Sequence, residues 1–311
     1  MKRFLACIAL ALTLGAAPVS AEPLKVVASF SILGDMVERV AGDHVELTVL
    51  VGPDGDAHSF EPGPAHAAAL ADANLLVVNG LGFEPWMVRL AAAARSKATY
   101  VVASFGINPR DMEKDSHAPE SKSDGDKEGY PAVPHDFDPH AWQNAANGVI
   151  YVRNIADALA KADPENAGTY AANAAAYIAE LEGLDAWVRA EIAKVPAGKR
   201  KVITTHDAFG YFGDVYGVEF HAPLGFAGGA QPSAQALARL IDQIRTEGIK
   251  ALFIETMSDP RMMETISRET GAEMGGALYS DALSPGGGEA PSYVAMFQHN
   301  VPLLVEAMLK N

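Results

Sequence analysis

The sequence predicts an α/β protein of two lobes, each built on a parallel sheet, joined by a long rigid helix. Three observations carry that prediction. Short apolar runs of buried-strand length alternate with helical patterns, the signature of βαβ units. The runs fall into two sets of four, and between the sets lies a wholly helical stretch. The chain has 311 residues, ample for two packed cores.

In the first set, strands are expected at residues 25–31 (KVVASFS), 46–51 (ELTVLV), 74–80 (NLLVVNG) and 99–104 (TYVVAS). In the second they are expected at 201–206 (KVITTH), 218–223 (VEFHAP), 251–256 (ALFIET) and 272–279 (AEMGGALY). Helical segments such as 32–41, 64–73 and 233–247 separate them. In the middle, residues 146–161 form an amphipathic helix. Asp163-Pro164 breaks it and starts another, with Asp163 as the cap and Pro164 at the first helical position. This second helix runs from 165 to about 195 and is rich in Ala, Leu and Glu. At ~1.5 Å per residue it would span about 45 Å. It is too long for an ordinary crossover and too regular for a flexible linker, so it reads as a stiff strut. The expected division is 22–163 for the N-terminal lobe, 164–195 for the linking helix and 196–311 for the C-terminal lobe.

Residues 1–21 read as a secretory signal peptide: Lys2 and Arg3, an apolar stretch over 4–15, and a small-residue cleavage site at Val19-Ser20-Ala21. The apolar run is too short to span a membrane. Removing the signal takes two of the 24 basic residues and none of the 39 acidic ones, moving the net charge from −15 to −17. That excess argues against nucleic acid and an anionic membrane surface as partners and suits a protein that attracts cations. The only cysteine, Cys7, lies inside the signal, so the mature protein uses no disulfide and builds any metal site from histidines and carboxylates. Cys7 follows Arg3 too closely for a lipoprotein cysteine, so no lipid anchor is expected.

Residues 108–136 form one polar, charged insertion with few apolar side chains. Such a segment cannot bury enough to order itself, and a mobile loop near the site is expected. It ends in DPHAW, Asp138–Trp142. Pro139 locks its own φ and pushes Asp138 to an extended conformation, so His140 is held at a stiff corner. Three more motifs keep it company: GPDGDAHSFEP around His58, THDAFGYF around His206 and LYSDAL around Asp281. All four residues fall beyond the carboxyl ends of expected parallel strands, where open α/β sheets bind ligands. Two come from each half, so opposed lobes would bring them together. Three imidazoles and a carboxylate can close a tetrahedral shell on a divalent ion. Neutral imidazole suits zinc, copper, iron and nickel.

These motifs, in order over essentially the whole mature chain, resemble the successive metal-ligand motifs of the periplasmic solute-binding proteins that serve zinc and manganese ABC importers. The resemblance is closest to the zinc-binding branch. It implies two Rossmann-like lobes joined by a long rigid helix, with His58, His140, His206 and Asp281 as ligands to one Zn2+ carried as cargo. It implies a monomer in the periplasm that delivers zinc to the membrane permease of an ABC importer, with a periplasmic metallochaperone as a further candidate partner. Manganese-selective relatives typically carry a Glu where this chain has His206, which favours zinc over the manganese or iron alternative. Many zinc-binding relatives have a long His-rich loop, whereas the loop here holds only His117 and His135.

The other histidines read as structural. His44 and His66 lie in polar surface contexts, His221 ends a strand, and His299 sits among apolar residues of the last helix. Asp207 and Glu255, at strand ends, are candidates to accept a hydrogen bond from a ligating imidazole. Trp142, Phe60, Phe209 and Tyr211 are candidates for a dry collar around the ion. A zinc hydrolase would need an open coordination position and a general base. The chain has no HExxH and no GxSxG motif, and Asp281 would close the shell, so a carrier is expected rather than an enzyme. A binding protein for a small organic solute or metal chelate would use the same frame with its histidines pointing apart.

Overall fold

The computed structural model describes residues 22–112, 137–225 and 232–311. The signal peptide, Cys7, His117, His135 and most of the polar insertion lie outside the described residues. The flanks of that insertion are tied together: Asp111 bridges Phe137, and Asp138 N–H donates to the Arg110 carbonyl at 2.9 Å.

Among the described residues, eight strands form two four-stranded parallel sheets. The first holds β1 (Leu24–Phe30), β2 (Val45–Val51), β3 (Leu75–Val78) and β4 (Thr99–Val102) in the order β2-β1-β3-β4. The second holds β5 (Lys201–Ile203), β6 (Glu219–His221), β7 (Ala251–Glu255) and β8 (Glu273–Leu278) in the matching order β6-β5-β7-β8. All pairings between these strands are parallel. β3 is LLVV with every residue buried, and β1 buries its last five, as expected of strands covered on both faces. β8 is the irregular one: its pairing with β7 shifts between Leu252 and Ile254, next to Gly275 and Gly276, the usual setting for a bulge. In each sheet the chain leaves its first strand to one side and returns on the other. This makes a crevice outside the carboxyl ends where ligands bind.

Helices α1 (Ser31–Ala41), α2 (Pro64–Ala71) and α3 (Met87–Ala94) serve the first sheet. Helices α6 (Gly210–Tyr216), α7 (Ala234–Glu247), α8 (Arg261–Thr270) and α9 (Tyr293–Leu309) serve the second. Between them run α4 (Ala145–Ala162) and α5 (Ala167–Ile192). Asn144 caps α4 by accepting from Ala146 N–H at 3.0 Å.

The start of α5 differs from the expectation. Pro164–Asn166 make a 3-10 turn, and α5 proper begins at Ala167. Asp163 accepts from the Asn166 side-chain amide at 2.7 Å and the Tyr170 hydroxyl at 2.6 Å. It closes the turn through side chains instead of serving as a simple cap. The helix has 26 residues, about 39 Å at ~1.5 Å per residue. As a strut it is packed along one face. Tyr170, Ala174, Tyr177, Leu181, Leu184, Val188 and Ile192 form one buried stripe, at the three- and four-residue spacing of a helix face. One continuous apolar cluster takes in this stripe, β1 and β3 of the first sheet, and Phe253, Phe297 and Leu304 of the second half. A smaller cluster lies under α7 and α8.

Candidate metal centre

The four residues singled out in the sequence meet at one point. One donor atom from each of His58, His140, His206 and Asp281 lies within 4.8 Å of all the others. His58 follows β2, His140 follows β4, His206 follows β5 and Asp281 follows β8, so each sheet sends two loops to the centre. His58 Nε2 is 3.2 Å from His140 Nε2 and 3.3 Å from Asp281 Oδ2. His206 Nε2 is 3.1 Å from Asp281 Oδ2, and His140 Nε2 is 3.6 Å from Asp281 Oδ1. An ion about 2.0–2.1 Å from each donor of a tetrahedral shell sets edges of about 3.3 Å. Edges alone do not select the metal, since neighbouring positions of an octahedral shell lie about 3 Å apart. The histidines do not point apart, which removes the reading as a site for a purely organic solute.

Each side chain is aimed by its neighbours. His58 sits in an Asx turn: Asp56 Oδ1 accepts from His58 N–H at 2.8 Å and Ser59 N–H at 3.4 Å. Trp86 Nε1 donates to the Ala57 carbonyl at 2.7 Å, holding that loop to α3. At the DPH corner, Asp138 Oδ1 accepts from both His140 N–H at 3.0 Å and His140 Nδ1 at 2.9 Å. That fixes the tautomer that leaves Nε2 free for an ion. Asp138 is in turn 3.4 Å from Arg110 Nη1. Asn79 Nδ2 donates to the Pro139 carbonyl at 2.8 Å. Behind Asn79 lies Glu84, which accepts from Ser29 Oγ and from Asn79 N–H, both at 2.6 Å. Burial pushes the Glu84 carboxyl up to about 7.

His206 lies just past the end of β5 and bridges Leu224. Glu255, the last residue of β7, accepts from Thr205 N–H at 3.0 Å and His206 N–H at 2.9 Å through Oε1. Its Oε2 lies 2.6 Å from His206 Nδ1 and 2.6 Å from Ser280 Oγ. Asp281 is aimed by the residue before it, whose carbonyl accepts from Trp142 Nε1 and Gln143 Nε2, both at 2.8 Å.

Glu255 thus takes the role of outer acceptor, and Asp207 does not. The second acceptor is Asp138, two residues before its histidine in the DPH motif. Of the proposed collar, Trp142 stands against His140 with ring centroids 5.3 Å apart. Phe60 instead packs on His66 and Trp86, and Phe209 stacks on Phe220. Tyr211 donates to the Asp138 carbonyl at 3.1 Å, acting through its hydroxyl. The missing wall is Phe83, whose ring is 4.6 Å from His58 and 6.1 Å from His140. It follows a turn with positive φ at Gly80, Leu81 and Gly82, and only the glycines hinted at it.

The electrostatics of the cluster are those of a cation site. Burial pulls the His58 pKa down, with Asp281 partly offsetting it. Burial also opposes charge on His206, yet the Glu255 and Asp281 carboxylates outweigh it and hold His206 well above the usual imidazole range. Asp281 is fully buried, but His140 and His206 hold it well below the usual carboxylate range. Both Asp281 oxygens and His206 Nε2 are buried without a hydrogen-bond partner. Buried polar atoms left over in this way fit donors kept for an ion.

Among the described residues, the remaining histidines behave as structural groups. His66 Nδ1 accepts from Gly63 N–H at 2.8 Å at the start of α2, and His44 stands edge-on to Tyr170. His299 Nε2 is 3.0 Å from the Ala277 carbonyl. His221 does lie near Glu219 and Glu247 in a second, exposed cluster. There Lys201 already ion-pairs with both carboxylates.

Residues 26–307 match the family described as zinc-uptake complex component A, periplasmic. The manganese-binding lipoprotein MntA of Halalkalibacterium halodurans is 32% identical over 287 residues, covering 92% of this chain and 89% of that one. The iron ABC transporter substrate-binding lipoprotein MtsA of Streptococcus pyogenes serotype M1 is 31% identical, covering 95% and 92%. The solved structure of the periplasmic zinc-binding protein TroA of Treponema pallidum superposes with a TM-score of 0.79 at 29% identity, covering 93% and 99%. These are carriers, not enzymes, and they do not divide in favour of one metal. The chain belongs to the zinc-uptake complex component A family of metal-binding solute-binding proteins that serve ABC importers.

Proposed function

We propose that the cargo is zinc, one ion per chain, bound by His58, His140, His206 and Asp281 and delivered to the permease of an ABC importer. The observation that carries this is the donor set. Three imidazole nitrogens surround one carboxylate, and two of the imidazoles have Nδ1 engaged by a carboxylate, which leaves Nε2 to face the ion. Zinc accepts a compact shell of four nitrogen and oxygen donors. Manganese prefers more oxygen and six ligands, and it stands below zinc in intrinsic affinity. A Glu at position 206 would have added an oxygen, and this chain has His206 there.

The second reading is manganese or iron. Two observations favour it: relatives named for those metals, and the two unpartnered oxygens of Asp281, which can make the carboxylate bidentate and raise the donor count to five. Competition titration of metal-free protein with both ions decides between them. Zinc should displace manganese at equal free concentrations near neutral pH. Displacement of zinc by manganese would overturn zinc as the cargo.

Substitution tests the ligands themselves. Changing any one of the four to alanine should weaken zinc binding sharply, whereas His44→Ala should not. Native affinity and stoichiometry in His206→Ala would sink the ligand assignment.

A further inference from the structure

The four donors are not equally sealed. The side chains of His140 and Asp281 are fully buried and that of His206 is 2% exposed, but His58 is 8% exposed. His58 and His206 also line a cavity of about 680 Å3. Leu237 of α7 and Met262 of α8 form part of its wall, Asp56 supplies a carboxylate, and Asp259 stands there paired with Arg261. At about 30 Å3 per water, the space is ample for a divalent cation with its hydration shell.

Thr205 also lines this cavity, next to His206. The residue is 1% exposed, and its hydroxyl is buried with no hydrogen-bond partner. Leaving a buried hydroxyl unpaired costs about 1–3 kcal/mol. Its neighbour Thr204 shows the ordinary solution: that hydroxyl donates to the His206 carbonyl at 3.1 Å. The fold therefore leaves one hydroxyl oxygen unpaired on the residue that precedes His206, in the wall of the cavity that His58 and His206 also line.

We propose that this cavity is the passage by which the cation reaches and leaves the centre, and that Thr205 Oγ1 is its last oxygen contact before the imidazoles. The inference rests on the metal-binding reading above. A hydrated cation must shed waters before it can take nitrogen donors. A neutral hydroxyl at the inner end replaces one departing water. It then gives way when His58, the outermost donor, closes on the ion. Such a contact lowers the barrier in both directions and leaves the end states alone.

The test is kinetic. Thr205→Val keeps the side-chain shape and removes the oxygen. Met262→Trp narrows the passage from α8, and Leu237→Trp narrows it from α7 should the first variant fold poorly. Zinc capture and zinc release to excess chromophoric chelator are measured by stopped flow, and Kd by equilibrium competition. Capture and release should both slow by the same factor, roughly tenfold, with Kd unchanged. A merely structural role would instead move Kd. Wild-type rates in a folded tryptophan variant would overturn the passage. Wild-type rates or a shifted Kd in Thr205→Val would overturn the role of its hydroxyl. Failure of the unaltered chain to bind zinc in the same titration would sink the metal-binding reading itself, and this inference with it.

Discussion

Glu255 serves His206 in two ways at once, and that makes it more sensitive than Asp138. Its Oε1 holds the Thr205 and His206 N–H groups, and its Oε2 takes the His206 Nδ1 proton. A glutamine at 255 must keep its carbonyl oxygen on the two backbone donors. Its amide nitrogen then faces Nδ1 and donates to it, which moves the imidazole proton to Nε2, the atom meant for the ion. At Asp138 a single oxygen, Oδ1, serves both His140 donors. An asparagine can keep that oxygen in place, so the tautomer survives, at the cost of the Arg110 contact, since its nitrogen then meets a second donor. Outer-shell changes of this kind typically cost 10–100-fold in metal affinity. Glu255→Gln should fall near the upper end, about 100-fold, and Asp138→Asn near the lower, about tenfold. Competition against a chelator of known affinity measures both. Equal losses in the two variants would mean that the tautomer is set by something else.

Among the elements, α4 and α9 meet at Gly148. A Cβ there would come within 2.9 Å of Tyr293 Cε1 and 3.0 Å of its hydroxyl. Tyr293 is fully buried, and its hydroxyl donates to the carbonyl of Trp142, two residues past His140. Gly148→Ala should therefore push the ring off that carbonyl and destabilise the metal-free protein by about 1–3 kcal/mol, the usual range for overpacking. Thermal melting measures the loss; an unchanged melting temperature would mean that α9 moves aside freely. This contact was not legible in the sequence, because a glycine inside a helical pattern says nothing about which distant ring lies over it. The strands were legible for the opposite reason. Sheets covered on both faces need unbroken apolar runs such as LLVV in β3, and those runs are visible in one dimension. The cluster of four was legible because each member follows such a run, His206 and Asp281 within three residues, His58 after a short loop and His140 only after the polar insertion, and Glu255 because it ends one. The collar was not. Phe83 and Phe60 are equally aromatic, and only the positive-φ turn at Gly80–Gly82 decides which of them reaches His58.

At the scale of the whole molecule, the ion would be one clasp among several between the two halves of the chain. Trp142 and Gln143 already bond the Ser280 carbonyl, Leu283 N–H donates to Ser31 Oγ at 2.9 Å, and Tyr293 N–H donates to Asp35 Oδ2 at 2.9 Å. The continuous apolar cluster and α5 join the same halves. Metal removal should therefore lower the melting temperature without opening the molecule. Zinc at about a thousand times its Kd contributes about 4 kcal/mol by linkage, and calorimetry reads that as a higher melting temperature. Small-angle scattering should give the same radius of gyration with and without metal. A clear expansion on chelation would show that the ion, not the packing, holds the halves together.

The two contributions to stability should also respond to pH in opposite directions. Burial raises the carboxyls of Asp35 and Asp207 to about 6 and that of Glu84 to about 7, above their values in the unfolded chain. Between roughly pH 4 and 7 the folded state then holds more protons on these three groups than the unfolded state does. Stability from them is present at the acid end and lost as pH rises through 6 to 7. His58, pulled down by burial, works the other way, because the unfolded chain protonates it below about 6.5. His206 is raised, so above about 6.5, where the unfolded chain loses this proton and the fold keeps it, His206 adds to the loss of stability with rising pH; Asp281 is depressed, and its transition lies below this window. Three carboxyls and His206 against His58 leave the metal-free protein more stable at pH 5 than at pH 7. Zinc binding runs opposite, because its imidazoles must be neutral and a proton on His206 must be displaced. Melting curves with and without zinc across this range should therefore converge as pH falls: the metal-free melting temperature rises while the increment from zinc shrinks. A metal-free protein that melts lower at pH 5 than at pH 7 would show that those three carboxyls are not held protonated in the fold.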